Sequence, residues 1–248
     1  MSSIKLFIKK NIPSILFQFF HRIGVYKNYV PYPGKIRKGD FFRTTPFSTN
    51  FGYDRGGPVD RYYIENFLQS ESGTIKGRVL EIGDNDYTIR FGGSRVVHSD
   101  ILHIDSSNTR ATFIGDLSTS THLPKNSFDC IILTQTLHLI YQYTQALENC
   151  YRILKPGGTL LISVPGISHI DQGEWKNIWL WSFTESSITR MLTEIFPKQN
   201  LTINTYGNVL VATAFLYGMG LPELSKGNMD HHDPHYQVII TAKAVKPI

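Results

Sequence analysis

Short apolar runs alternate with helix-length segments from residue 58 to the end of the chain. The apolar runs are bounded by Gly, Pro or polar residues and lie at 78–83, 101–105, 111–114, 128–133, 159–164, 201–206 and 236–245. The helical segments around and between them lie at 58–68, 137–154 and 182–196. Nearly continuous apolar strands that alternate with helices are typical of a parallel sheet covered on both faces. The sequence therefore predicts an α/β layer fold.

Basic charge is concentrated at the N-terminal end. Residues 1–43 contain nine Lys/Arg and one acidic residue, so the remainder has a net charge of −3 although the whole chain has +5. The basic pI belongs to this appendage, which argues against a nucleic-acid partner. The chain has no apolar run of ~18 residues and no secretory cleavage site, and Cys130 and Cys150 lack metal or disulfide spacing. A cytoplasmic protein is expected.

Residues 3–25 have the pattern of an amphipathic helix interrupted near Pro13, with isoleucines, leucines and phenylalanines on one face and basic residues on the rest. Such a segment can bind peripherally to an anionic inner membrane surface, or it can pack on the domain or a partner subunit. Residues 26–58 are rich in Pro, Gly and aromatics, which indicates ordered irregular chain. We therefore divide the chain into an extension with its lead-in, 1–57, and a domain, 58–248.

Polar residues follow the predicted strands at their carboxyl ends, where open parallel sheets bind ligands. Glu81 to Tyr87 follow the first strand, Asp105 the second, Asp116 the third, and Thr134 with Gln135 the fourth. An acid can accept from ribose hydroxyls and a polar loop edge can border adenine, so these positions suit a nucleoside.

Four segments resemble, in order and spacing, the successive motifs of class I S-adenosylmethionine (SAM) dependent methyltransferases: RVLEIGDND, HID, GDLSTSTHLPKNSFDCIILTQTLHLI and ENCYRILKPGGTLLISVPG. The resemblance spans roughly residues 77–166 and is strongest to the type 11-like, glycan- and small-molecule-modifying subgroup. FGYDRGGPVDRYYIENFL resembles the lead-in of bacterial members linked to polysaccharide biosynthesis or secondary metabolites. The family implies a Rossmann-like, doubly wound, mostly parallel seven-stranded sheet with an antiparallel last strand, and SAM as cofactor.

The resemblance also implies roles by position. Glu81 and Gly83, with Asp84 and Asn85, shape the loop beneath the methionine part of SAM. Asp105 accepts from the ribose, with Asp100 as a weaker candidate, and Asp116 and Leu117 border adenine. Thr134 and Gln135 lie near the sulfonium, and Arg61 and Tyr62 touch the amino-acid end.

The predicted cofactor loop departs from the family pattern E-x-G-x-G-x-G, because Asn85 and Tyr87 replace its second and third glycines. Glycine suits positive φ and close backbone approach to a ligand. Asn is the next best residue for left-handed geometry, whereas Tyr87 brings a large ring to the cofactor's path. SAM then binds in an adjusted pose, or the chain is a non-methylating scaffold with the same fold.

Several residues are candidates for acceptor chemistry. His138 and His169 are candidate bases, or buried histidines bonded to backbone. Trp175, Trp179 and Trp181 form an acceptor wall or a cap on the sheet. Asp54, Arg55 and Arg61 bind an anionic group of the substrate or attach the lead-in to the domain. The cluster formed by His231, His232, Asp233 and His235 is read as a polar surface loop, and no metal is expected.

These features favour a methyltransferase that acts on a hydroxyl of a sugar, glycan precursor or small natural product. A non-methylating binding protein is the first alternative. Another transferase that uses the same cleft, such as a glycosyltransferase, is the second, because fold does not fix function.

Overall fold

The computed structural model describes residues 14–23, 25, 30, 31, 33, 36 and 39–248. The chain divides into two compact units, Met1–Thr44 and Thr45–Ile248. The first contains helix α1 (Ser14–Arg22), on which Leu16, Phe19 and Phe20 are exposed. Residues 3–13 of the predicted helix lie outside the described residues, so the membrane or partner contact stays a prediction. Within the described part of the chain, no helix is long and apolar enough to cross a membrane.

The second unit is built on one seven-stranded sheet. Its strands are β1 (Gly77–Ile82), β2 (Val96–His103), β3 (Phe113–Ile114), β4 (Phe128–Thr134), β5 (Leu154–Pro165), β6 (Leu201–Tyr206) and β7 (Ile239–Val245). The order is β3-β2-β1-β4-β5-β7-β6, with β1 to β5 paired in parallel and β7 antiparallel to both neighbours. The predicted mostly parallel sheet with an antiparallel last strand is confirmed.

Helices cover both faces of the sheet. They are α2 (Val59–Ser70), α3 (Tyr143–Ile153), α4 (Glu185–Thr193), α5 (Val209–Leu216) and α6 (Lys226–Asp230). Strand β4 shows the division: Ile131 packs in one buried cluster with residues of α3 and α4, and Ile132 packs in the other with residues of α2 and α5. Because successive side chains of a strand point to opposite faces, a strand buried on both sides must be apolar at nearly every position.

Three predicted elements are shorter than the sequence pattern indicated. The helix predicted over 137–154 is a 3₁₀ turn at Leu137–Leu139 followed by α3, because the His138 carbonyl accepts from the N–H groups of Leu180 and Trp181. The third strand has two residues, since the Thr112 hydroxyl bonds to the backbone of Ile101. Helix α4 begins after Thr184, whose hydroxyl accepts from the Ser187 N–H and so caps the helix.

Candidate functional site

A cavity of about 750 Å³ lies at the carboxyl ends of β1 and β4, where the strand order reverses. Open parallel sheets bind ligands at this switch point. The predicted site residues that line it are Arg61, Glu81, Gly83, Asp84, Thr134, Gln135, His138, Trp175 and Trp179. The lining divides by chemistry into two parts, which come from different stretches of the chain.

The first part, the charged wall, comes from α2, the end of β1 and the loop that follows. It contains five carboxylates and two guanidinium groups, from Asp60, Glu65, Glu81, Asp84, Asp86, Arg61 and Arg90. Arg90 and Glu65 form an ion pair at 2.7 Å. The excess of carboxylates suits a ligand with positive charge.

Glu81 fixes the chain where β1 ends. Its buried carboxylate accepts from the Thr88 N–H and hydroxyl, both at 2.7 Å, and from the Tyr87 N–H at 3.3 Å. These donors begin the helical turn after the loop, and a carboxylate at such a position satisfies otherwise unpaired N–H groups. Burial nevertheless raises the pKa of Glu81 to about 7, although the bonds from Thr88 oppose the shift.

Asp60 and Arg61 lie side by side in the first turn of α2. Asp60 is buried, and its Oδ1 has no hydrogen-bond partner. Burial raises the pKa of Asp60, and the neighbouring Arg61 charge opposes that shift. Arg61 donates to the hydroxyl oxygens of Tyr87 at 2.8 Å and Tyr53 at 3.2 Å. A buried acceptor without a partner is costly, so Asp60 is an open binding position in the cavity.

The loop after β1 uses left-handed geometry only at its first glycine. Gly83 has φ of 90°, and no atom lies within 4 Å of where a Cβ would project. Asn85 is not among the described residues with positive φ, and Tyr87 has φ of −72° at the start of a helical turn. Asn85 therefore does not adopt the left-handed conformation that a glycine at this position would permit. The Tyr87 ring packs 5.8 Å from Phe91 while still lining the cavity.

The second part, the neutral wall, consists of uncharged side chains from the end of β4, the segment after β5 and one lead-in residue. They are Phe51, Thr134, Gln135, His138, Leu139, Trp175 and Trp179. His138 is buried against Trp179, with ring centroids 4.5 Å apart, and its Nδ1 has no partner. Burial lowers the pKa of His138 to about 4, so the imidazole is neutral at pH 7.

The residues predicted for ribose and adenine lie outside the cavity lining. Asp105 accepts from the Ser107 N–H and its side chain is 64% exposed, and Asp116 accepts from Ser118. Leu117 is buried in the core and Asp100 pairs with Arg78. From the loop after β2, Arg110 pairs with Asp84 at 2.5 Å and Asn108 donates to the Gly83 carbonyl at 2.9 Å.

Other predicted contacts are structural in this geometry. Arg55 forms an ion pair with Glu223, which attaches the lead-in to the domain, and Asp54 accepts from Ser48 within the lead-in. Tyr62 donates to Asp230 of α6, and the Trp181 indole donates to the Ile140 carbonyl. Asn85 donates to Ser99. His169 does not line the cavity but stacks behind Phe51, with ring centroids 3.9 Å apart.

The lining also contains residues that were not predicted as site residues, among them Phe51, Asp60 and Glu65. For Asp60 the signal was present, since an acid beside Arg61 follows Pro58, but an acid in a first turn also suits the helix dipole alone. Phe51 has no comparable local signal. Among the described residues, no group of three or more His, Cys, Asp or Glu is arranged to hold a metal ion.

Comparison with known proteins agrees with this architecture. A family profile described as "Methyltransferase domain" matches residues 90–162, a segment that begins after the Gly83 loop. A ubiquinone/menaquinone biosynthesis C-methyltransferase of Haemophilus ducreyi is 31% identical over 112 residues, which cover 37% of this chain and 42% of that protein. The chain spans less than half the length of the curated relatives it matches.

Two solved structures share the fold at low identity. Haemonchus contortus phosphoethanolamine N-methyltransferase 2 has a TM-score of 0.51 and 17% identity, over 88% of this chain and 62% of that one. The [4+2]-cyclase SpnF also has a TM-score of 0.51, with 16% identity over 75% of this chain and 81% of its own. The chain therefore shares the methyltransferase fold of these structures, and its residues 90–162 are similar to a methyltransferase domain.

Proposed function

We propose that this chain transfers the methyl group of SAM to a hydroxyl of a small acceptor, such as a sugar, a glycan precursor or a natural product. The observation that supports it best is the charged wall, where the open Asp60 oxygen lies beside the Arg61 guanidinium. SAM ends in an amino acid, whose ammonium group suits a carboxylate and whose carboxylate suits a guanidinium. The relatives are named C- and N-methyltransferases, which supports methyl transfer, and the hydroxyl acceptor is our proposal.

The residues present fit the methionine end of SAM. Open space at Gly83 permits close approach of a ligand to the backbone, and the excess of carboxylates complements a positive sulfonium. When bound, SAM supplies an electrophilic methyl group on that sulfur. Asp105 and Asp116 lie outside the cavity, so the fit concerns the methionine end and not the adenosine end.

His138 is our candidate for the group that receives the acceptor hydroxyl. Its Nδ1 lacks a partner, and the ring is neutral near pH 7, so it can accept a hydrogen bond from a hydroxyl. That bond would orient the hydroxyl oxygen, and the His138 ring would receive the hydroxyl proton as the oxygen–carbon bond forms. His169, half-buried behind Phe51, is less well placed for this role.

A non-methylating protein remains the second candidate, and one observation favours it. The Arg110–Asp84 ion pair and the Asn108 contact to Gly83 engage two cavity-lining residues from the loop that also holds Asp105. A solved structure of the same fold is titled a cyclase, which illustrates that this fold supports other chemistry. Binding of the demethylated cofactor separates the two candidates.

Isothermal calorimetry with SAM and with S-adenosylhomocysteine tests the proposal. We expect both to bind the wild-type protein, and Asp60→Asn to weaken SAM about tenfold to a hundredfold, since a charged hydrogen bond is lost. Asp54→Asn is the matched control, because it makes the same change at an exposed carboxylate outside the cavity. Absence of binding to the wild type would falsify the proposed function, and equal SAM affinity of Asp60→Asn would remove Asp60 from it.

A further inference from the structure

Three aromatic rings form a stack at the neutral wall, which we call the ring stack: Phe51, His169 and Trp179. The ring centroid of Phe51 is 3.9 Å from that of His169 and 5.9 Å from that of Trp179. The ring planes of Phe51 and Trp179 differ by only 9°. Phe51 and Trp179 both line the cavity. Near-parallel rings at an open surface provide a flat apolar face on which another ring can pack.

The backbone holds Phe51 in an unfavourable conformation. Its φ is 51°, in the left-handed region, and a side chain there costs about 1–2 kcal/mol. The following Gly52 also has positive φ, and a Cβ on it would meet the Met219 carbonyl oxygen at 2.7 Å. Gln135, on the same wall, is also left-handed, with φ of 46°. Strain of this kind concentrates at functional sites, so we infer that the placement of the Phe51 ring serves the cavity.

Ring nitrogens at the same place lack hydrogen-bond partners. They are Nδ1 of His138, Nε1 of Trp179 and both ring nitrogens of His169. Buried polar atoms in folded proteins are usually bonded, and each exception calls for an explanation. The Trp179 nitrogen can only donate, whereas a neutral imidazole offers one donor and one acceptor. A ligand hydroxyl that reaches these nitrogens would donate to His138 Nδ1 and accept from Trp179 Nε1.

The neutral wall also limits the charge and shape of its ligand. Burial lowers the pKa of both His138 and His169, so no full charge faces a ligand from this wall near pH 7. A sugar ring would bury several hydroxyls, each of which needs a partner. Beyond the two ring nitrogens, the wall offers Thr134 and Gln135, and Gln135 already contacts the Ser163 hydroxyl. One hydroxyl on a flat apolar ring uses this set of groups more fully.

We propose that the neutral wall binds an uncharged, planar, hydroxylated ring, packed on Phe51 and Trp179 with its hydroxyl bonded to the unpaired ring nitrogens of His138 and Trp179. Such a ring is the methyl acceptor, and this part of the inference rests on the proposed function. A sugar acceptor is the competing outcome.

Calorimetry with four probes separates the contributions that a flat ring, a hydroxyl group and overall polarity of the ligand make to binding. The probes are 2-naphthol, its saturated non-planar counterpart 2-decalol, naphthalene without the hydroxyl, and a methyl hexopyranoside. We expect 2-naphthol to bind about tenfold tighter than any of the others, since stacking and one hydrogen bond each contribute on that order. Equal affinity of 2-naphthol and 2-decalol, tighter binding of the hexopyranoside, or no binding of 2-naphthol each overturns the proposal.

Phe51→Leu and Trp179→Phe test the two contacts on the full chain. Phe51→Leu keeps apolar bulk and removes the ring, so the preference for 2-naphthol over 2-decalol should fall several-fold. Trp179→Phe keeps a ring and removes the N–H, so the preference for 2-naphthol over naphthalene should fall instead. A control, Trp181→Phe, changes a tryptophan outside the cavity and should change neither ratio.

S-adenosylhomocysteine is titrated into each sample to confirm a folded protein and to separate the two proposals. Binding of 2-naphthol without cofactor binding overturns the methyl transfer but keeps the ring site. Cofactor binding with no preference among the probes does the reverse. Identical probe ratios in Phe51→Leu and wild type would remove the ring stack from recognition.

Discussion

The charged wall comes from one continuous stretch of chain, residues 60–90, whereas the neutral wall collects residues from three distant stretches around Phe51, His138 and Trp179. Burial acts on both, but in opposite directions. It raises the pKa of Glu81 and Asp60, and it lowers the pKa of His138. Both shifts favour the uncharged form, because transfer from water penalises charge.

The consequence differs between the walls. A ligand with positive charge would favour the ionised form of the carboxylates in the charged wall. The charge of this wall therefore depends on the ligand and on pH. His138 is already neutral near pH 7, so the neutral wall keeps its character. The comparison therefore separates a wall suited to a cation from one suited to an uncharged group, and variants at each wall can break it.

The largest effect is expected at Glu81. Its pKa of about 7 in the folded protein lies above the ordinary value of 4.5, so its stabilising contribution is present below pH 4.5 and is lost as pH rises through 7. Glu81→Gln removes this titration. Urea unfolding measures the free energy of unfolding of the variant minus that of wild type. This difference should be up to about 3 kcal/mol more favourable to the variant at pH 8 than at pH 4.5.

Thr88→Val is the companion variant, since it removes a hydroxyl that bonds to Glu81 and opposes its pKa shift. In Thr88→Val the pKa of Glu81 should be higher still. The decrease in the free energy of unfolding with rising pH should therefore continue to a higher pH in this variant than in wild type. If Glu81→Gln and wild type differ by the same amount at both pH values, the carboxylate is ionised throughout and the account of the charged wall is wrong.

The same contrast shows what the sequence could predict. The apolar runs and their alternation with helical segments predicted the sheet, because a buried strand has apolar residues within its own short segment. Glu81 and Gly83 could be predicted to line the cavity because the end of β1 and its loop form one local stretch of sequence. The contact of Phe51 with Trp179 depends on long-range packing, which leaves no local pattern. The loop is not left-handed at Tyr87, and the Tyr87 ring lines the cavity, so its effect on cofactor binding stays a prediction.

A smaller effect is expected at His138 in the neutral wall. Its folded pKa of about 4 lies below the ordinary 6.5, so its stabilising contribution is present above pH 6.5 and is lost as pH falls toward 4. His138→Asn should unfold more easily at every pH because packing on Trp179 is lost. When the pH is lowered from 7.5 to 5, however, the free energy of unfolding of wild type in urea should fall by about 2 kcal/mol more than that of the variant. Parallel pH profiles would show that the ring is hydrated.

The smallest effect concerns the boundary of the charged wall, where Arg110 pairs with Asp84. Both side chains are about half exposed, and such ion pairs contribute little, so Arg110→Ala should cost almost no stability. If the pair obstructs the adenosine end, the variant should bind S-adenosylhomocysteine about threefold tighter by calorimetry, and raised salt should bring wild type toward it. Arg190→Ala, which breaks the exposed pair with Glu194 in α4, is the control. Weaker binding by Arg110→Ala would mean that Arg110 contacts the ligand, which would extend the charged wall beyond the cavity to the loop after β2.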